Sequence, residues 1–183
     1  MQVSHQFDVA RPVQTVWDFF QDVPSVAQCL PGAELTEDKG DNVYAGKVSV
    51  KLGPLSATFE GEAKVTPDAV AKSGLIDGKG VDRRGGSRGQ VKVTYQLVGS
   101  DAGTTVSMDA DVTLSGAAAQ FGRTGLINEM SNRLIGEFVQ CVEGKLAATT
   151  VEEAQEIKAA EVKGITLFFQ SLLTWLKRLF GRR

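Results

Sequence analysis

Histidine is nearly absent from this chain: His5 is the only one in 183 residues. A metal centre needs several His, Cys or carboxylate ligands at matched spacing, and no such cluster stands in the sequence. A nucleophile paired with a histidine base has one ring to draw on and no nucleophile-elbow motif to present it. His5 therefore reads as a structural or exposed histidine. Cysteine is equally scarce. Cys29 and Cys141 are too few and too far apart for a zinc motif or a disulfide framework, and we expect both to be buried free thiols. Positive charge is not in excess, since the formal net charge is -2, so nothing points to nucleic acid. The N-terminus, Met1-Gln2-Val3-Ser4-His5, lacks a basic stretch followed by an apolar run. We expect no secretory signal and a cytosolic body. Internal repeats are lacking too.

What the chain has is alternation. Val3, His5, Phe7 and Val9 share one face of a first strand. Pro12 opens a helix carrying Val13, Val16, Trp17 and Phe20, and Pro24 marks a second short helix that ends at Leu30-Pro31-Gly32. Period-two patterns return from Tyr44 to Leu52, Leu55 to Val65, more weakly Ala69 to Ile76, then Val91 to Leu97 and Val106 to Leu114. Their alternate positions are largely Lys, Thr, Ser, Asp and Glu, as in an antiparallel sheet with one wet and one covered face. A helix over about 118–146 carries Ile127, Met130, Leu134, Phe138 and Cys141 at three- and four-residue steps, weakened early by Gly122 and Gly125. The expected class is α+β: a helix-grip domain over 1–146, whose curved antiparallel sheet wraps one long helix. A polar linker over 147–163, either disordered or a solvated helix, leads to an amphipathic helix over 164–183.

Specific residues carry a resemblance. Val16-Trp17-Asp18-Phe19-Phe20-Gln21-Asp22, Cys29-Leu30-Pro31-Gly32-Ala33-Glu34, Tyr44, Lys51-Leu52-Gly53-Pro54 and Phe59-Glu60-Gly61 come in family order and spacing, followed by Gly103-Thr104-Thr105 and Ala119-Gln120-Phe121-Gly122. Over roughly 1–146 the chain resembles the CoxG family, the G subunits of carbon monoxide dehydrogenase, within the START/Bet v 1-like (SRPBCC) superfamily. The resemblance implies an accessory protein, without catalytic residues of its own, that helps place a molybdenum hydroxylase of the carbon monoxide dehydrogenase type at the inner face of the membrane.

A curved sheet gripping one helix commonly encloses an apolar site. The small residues Gly46, Ala57, Gly61, Ala63 and Ala110 on the covered face favour an open cavity over a packed core. Its expected lining is Tyr44, Val48, Phe59, Val93, Tyr95, Met108, Ala110, Phe121, Ile127, Met130 and Leu134. The runs Gly74–Gly80 and Gly85–Gly89 lack the Walker pattern and a following helix. They read as a mobile hairpin loop or, through Arg83, Arg84 and Arg88, as a docking patch for a partner or an anionic head group.

The last twenty residues are the most informative. Ile165, Phe168, Phe169, Leu172, Leu173, Trp175, Leu176, Leu179 and Phe180 fall within an arc of roughly 160° on a helical projection. Lys177, Arg178, Arg182 and Arg183 lie in the same segment, which has no acid; the remaining 163 residues hold 16 basic residues against all 22 acids. The uncharged run between Lys163 and Lys177 is shorter than the roughly 20 residues that span a bilayer. An in-plane helix on the anionic cytoplasmic leaflet fits, against the plainer reading that it packs on its own domain or on a partner helix. The expectation is a peripheral adaptor on the cytoplasmic side of the membrane, non-enzymatic. It would recruit a molybdenum hydroxylase and carry, non-covalently, a respiratory quinone (menaquinone or ubiquinone) or another isoprenoid lipid. The alternatives are an independent transfer protein for a hydrophobic small molecule, and a cyclase-like enzyme for which Asp109 and Asp111 are the carboxylates to test.

Overall fold

A computed structural model describes residues 1–52, 55–123, 126–148 and 151–159, with the backbone alone at 52, 55, 121–123, 126–130, 151 and 152. Seven strands form one antiparallel sheet: β1 (Gln2–Val9), β2 (Ala33–Asp38), β3 (Val43–Leu52), β4 (Leu55–Asp68), β5 (Ser73–Asp82), β6 (Ser87–Ser100) and β7 (Gly103–Ser115). The order β1-β7-β6-β5-β4-β3-β2 is a meander whose last strand pairs back onto the first. Between β1 and β2 lie α1 (Val13–Gln21) and α2 (Val23–Cys29). After β7 come a 3-10 turn (Gly116–Arg123), the long helix α3 (Leu126–Ala147) and a short α4 (Val151–Glu156). This is the expected helix-grip architecture.

The register carries the period-two reading through the sheet. Val3, Ala110, Val93, Ile76 and Val65 stand in one cross-strand row, so the apolar sets of five strands share the concave face. Three elements depart from expectation. The first is β2, which has little apolar signal in the sequence because Glu34, Thr36, Glu37 and Asp38 dominate it; it is an edge strand with a bulge after Leu35. The strand expected over Ala69–Ile76 begins only at Ser73, since the Asp68 carboxylate accepts from the backbone N–H groups of Val70 and Ala71 and folds them into a turn. Gly74–Gly80, read as a loop, therefore lies inside β5. The helix expected from 118 is a 3-10 turn first, and α3 starts at Leu126.

The packed core sits at one end of the sheet. Val9, Tyr95, Leu97 and Val106 meet Val16, Trp17 and Phe20 of α1 and Phe138, Cys141 and Val142 of α3. Phe20 lies tilted at 5.4 Å from Tyr95 and edge-on at 6.3 Å from Phe138, while the Lys72 ammonium lies 5.1 Å from the Trp17 ring centre. The expectation of free thiols is overturned here: Cys29 and Cys141 form a disulfide between α2 and α3, across a sequence separation of 112. Sequence spacing carries no sign of it, because the crossing of α2 and α3 brings the two Cα atoms to 5.3 Å. Disulfides are uncommon in reducing compartments. Both sulfurs are buried in the core, away from exchanging thiols.

The segment expected to be a free linker docks on the body as far as it is described. Ile157 packs against the core and over Gly144, and the Ala159 N–H donates to the Gln28 carbonyl. Buried Lys145 fastens three elements by donating to Gln28 Oε1 and to the Ala154 carbonyl, each at 2.8 Å. Burial holds its ammonium below the usual lysine range, with Asp22 opposing that shift. Lys145→Met keeps the stem and removes both bonds. We expect amide exchange over 151–159 to accelerate at least tenfold while the sheet is unchanged, and exchange no faster than wild type would contradict this fastening role. The depressed lysine also gives stability a pH dependence. The cost of keeping it charged is fully present below its folded pKa and is relieved as pH rises toward the unfolded value.

Candidate functional site

The concave face changes character along its length. At the α1 end Val9, Tyr95, Leu97 and Val106 are buried. In the middle Val3, His5, Ile76, Val91, Val93, Met108, Ala110 and Val112 are each only partly covered, as are Leu134 and Ile135 on α3. At the far end a second small cluster closes again around Ala57 and Ala118, with Phe59 and Leu114 against it. A partly covered apolar stretch between two packed ends is the candidate ligand site on the concave side.

Glycines shape the far end. A Cβ at Gly61 would stand 1.9 Å from the Lys79 carbonyl oxygen, so β4 and β5 approach closely there only because the side chain is missing. Part of the volume freed is taken by Phe59. Cβ atoms built on Gly80 and Gly89 would contact it at 3.3 and 3.4 Å, so its ring lies across β5 and β6 toward Leu114. At the open edge, Met1, Val112, Thr113, Leu114 and Ala119 line a groove of about 290 Å³ between β7 and the 3-10 turn.

Polar atoms on this face are few. His5 Nε2 bonds the Ser131 hydroxyl of α3, a pairing that sequence spacing does not show, although the parity of His5 with Val3 and Phe7 does place it inward. The Tyr95 hydroxyl makes no hydrogen bond of regular geometry, although Gln21 stands near it; burial pushes its ionisation up. Asp82 is buried, and its Oδ1 accepts from the backbone N–H groups of Arg84 and Gly85, fixing the β5–β6 turn. Ser87 ties that turn to the 3-10 turn by accepting from the Ala118 N–H at 3.0 Å. Among the described residues no three His, Cys, Asp or Glu side chains converge as a metal site.

The structure sorts the expected lining. Tyr44, Val93, Ala110 and Leu134 lie on the half-exposed apolar surface, Met108 at its border with the main core and Phe59 in the small cluster at the far end. Val48 stands at its open edge, 45% exposed. Tyr95, at 4% exposure, lies in the packed end beside Phe20 and over Gly74, where a Cβ would stand 2.5 Å from its ring. The side chains of Phe121, Ile127 and Met130 lie outside the described residues, as does the whole expected membrane segment from Ile165 to Arg183. Asp109 and Asp111 are on the convex face, bonded to Ser4 and paired with the N-terminal ammonium respectively, away from the site. Arg83, Arg84 and Arg88 project from the β5–β6 hairpin into solvent.

Known proteins share this architecture. A conserved protein from Geobacillus kaustophilus superposes with a TM-score of 0.71 at 16% identity, over 80% of this chain and 95% of that one. The Zhui aromatase/cyclase from Streptomyces sp. R1128 gives 0.52 at 18% identity, over 80% and 93%. A STAR-related lipid transfer protein from Xanthomonas axonopodis gives 0.53 at 12% identity, over 80% and 86%. At such identities these likenesses establish the fold, START/Bet v 1-like. A search of curated protein sequences found no significant match. The profile of one family covers residues 6–147, which take in the second half of β1, both α1 and α2, strands β2 to β7 and α3, and on that match the chain belongs to the CoxG family, the G subunits of carbon monoxide dehydrogenase.

Proposed function

We propose that this protein is a membrane-recruited carrier of a hydrophobic ligand that serves a molybdenum hydroxylase of the carbon monoxide dehydrogenase type, without catalytic turnover of its own. The observation that carries the ligand reading is the half-exposed apolar middle of the concave face, held between two packed ends. Family membership supports the enzyme partner. The amphipathic pattern of 164–183 supports the cytoplasmic leaflet as the place of work. A respiratory quinone or another isoprenoid lipid suits the site, because it joins a long apolar chain to a redox head group, and a redox enzyme off the membrane needs access to a lipid-soluble electron acceptor. Only residues 160–163 separate the docked Ala159 from Gly164, a connection of at most about 18 Å. The body would then ride close to the bilayer rather than at the end of a long tether.

A second reading, an independent lipid transfer protein, draws on the fold it shares with a STAR-related lipid transfer protein. A pull-down that brings down molybdenum hydroxylase subunits separates the two. Among the described residues a cyclase-like enzyme would have the His5–Ser131 pair to draw on, since Asp109 and Asp111 face away from the site. The anchor is tested by flotation with anionic vesicles. Deleting 164–183 is expected to lower the bound fraction at least 100-fold, in line with up to nine large side chains at roughly 1.5–3 kcal/mol each before ordering costs. Undiminished flotation of the shortened protein would contradict the anchor.

A further inference from the structure

The body of this protein is acidic, but its charge is not spread evenly. The turns at the α1 end of the sheet, within 8–22, 37–42, 67–72 and 99–103, hold eight carboxylates against Arg11, Lys39 and Lys72. At the other end the β3–β4 and β5–β6 hairpins and the 3-10 turn meet. Among the described side chains of 51–56, 82–88 and 113–120, Lys51, Arg83, Arg84 and Arg88 face a single acid, Asp82. That acid is buried and engaged by backbone N–H groups.

We infer that this arginine-bearing end is the face the body presents to anionic phospholipid, with the open edge of the apolar site turned toward the bilayer. Four observations carry it. First, Arg83, Arg84 and Arg88 are exposed and, among the described residues, none makes an ion pair. Second, the turn that bears them is fixed in place. Asp82 holds its backbone, Ser87 binds it to the 3-10 turn, and Gly116 approaches so closely that a Cβ there would stand 2.5 Å from the Gly86 carbonyl oxygen. Preorganised cations lose little entropy on docking. Third, exposed apolar side chains lie at the same end of the sheet: Val81, 39% exposed, sits directly across from Arg88 on the convex face, and Met1 lines the groove beside the 3-10 turn. Basic and apolar groups together suit the boundary of head groups and acyl chains. Fourth, the acidic α1 end would be repelled by the same surface, so within the reach that the short 160–163 connection allows, the charge asymmetry tips the arginine-bearing end toward the bilayer. An acidic protein surface would use the arginines but would gain nothing from the adjoining apolar opening, so lipid is favoured.

This inference rests on the membrane reading above, and the test separates the two. Full-length protein is titrated with vesicles of phosphatidylcholine, with and without phosphatidylglycerol, at low salt. Wild type is compared with Arg83→Gln/Arg84→Gln/Arg88→Gln and with the triple Arg→Lys variant. Each basic residue near an anionic surface contributes about fivefold to partitioning, so the glutamine variant should bind phosphatidylglycerol vesicles on the order of 100-fold more weakly. The lysine variant should recover most of the loss, and binding to pure phosphatidylcholine should not differ. Bound to anionic vesicles, the wild type should show slowed amide exchange over 83–90. A loss below twofold with no slowing over 83–90 would overturn the inference while leaving the tail as anchor. Wild type that fails to bind either vesicle would sink the membrane reading and this inference with it. A glutamine variant that keeps lipid binding but no longer co-purifies the molybdenum hydroxylase would reassign the face to a protein partner.

Discussion

Reduction of the Cys29–Cys141 disulfide under conditions that expose it, or its removal as Cys29→Ala/Cys141→Ala, is expected to lower the melting temperature by on the order of 10 °C. The bond ties α2 to α3 across 112 positions, so it restrains most of the unfolded chain. The loop-entropy argument gives about 4.7 kcal/mol for a loop near that length. Native strain and residual structure in the unfolded state commonly reduce this, and about 3–5 kcal/mol is the working range. For a chain of this size each kcal/mol shifts melting by roughly 2–4 °C. The cross-link lies inside the cluster formed by Phe20, Phe138 and Val142, so its loss also loosens the packed end against which α3 is seated. The native bond should resist mild reductant, because both sulfurs are buried, and yield once the chain is unfolded. A melting temperature that does not move on reduction in denaturant and refolding, or two thiols alkylated in the untreated unfolded protein, would remove the disulfide from the account.

The second large effect comes from filling the half-exposed middle of the concave face. Ala110 lies at its centre, in the row with Val3 and Val93. Ala110→Trp should project an indole into the accessible stretch and lower the affinity for an apolar fluorophore at least tenfold, while melting shifts by only a few degrees. Val106→Trp is the control. Val106 is on the same strand and face but fully buried at the packed end. Overpacking there costs about 1–3 kcal/mol or more, because no space receives the ring. If both substitutions destabilise alike, the middle of the face is as tightly packed as its end, and the site reading fails. Were Ala110→Trp tolerated with fluorophore binding intact, the ligand would have to sit elsewhere.

How much of this is legible in the sequence follows from where the physical signal is local. The concave set is readable because a strand repeats every two residues: Val91, Val93, Tyr95, Val106 and Met108 announce their face before any pairing is known. Helix α2 is readable because Pro24 stands in its first turn, and the structure adds an Asp22 cap that accepts from the Ser25 N–H. β2 is not, since an edge strand needs few apolar residues. The burial gradient that separates Tyr95 from Val93 is hidden too: both alternate correctly, and only the crossing of α1 and α3 decides which is covered. Cys29 with Cys141, and Lys145 with Gln28 and Ala154, depend on helix packing that no spacing rule reports. Composition describes 147–163 as polar, but its described part, 151–159, docks because one lysine and one isoleucine, Lys145 and Ile157, hold it.

The central claim is that the accessible apolar face carries a ligand taken from the membrane. Native mass spectrometry with lipid extraction, on full-length protein purified from its own membranes, tests it most directly. The account predicts a stoichiometric isoprenoid lipid or quinone, retained by the wild type and lost from Ala110→Trp. Protein that emerges empty from its native membranes, with no lipid recovered in the extract, would contradict it.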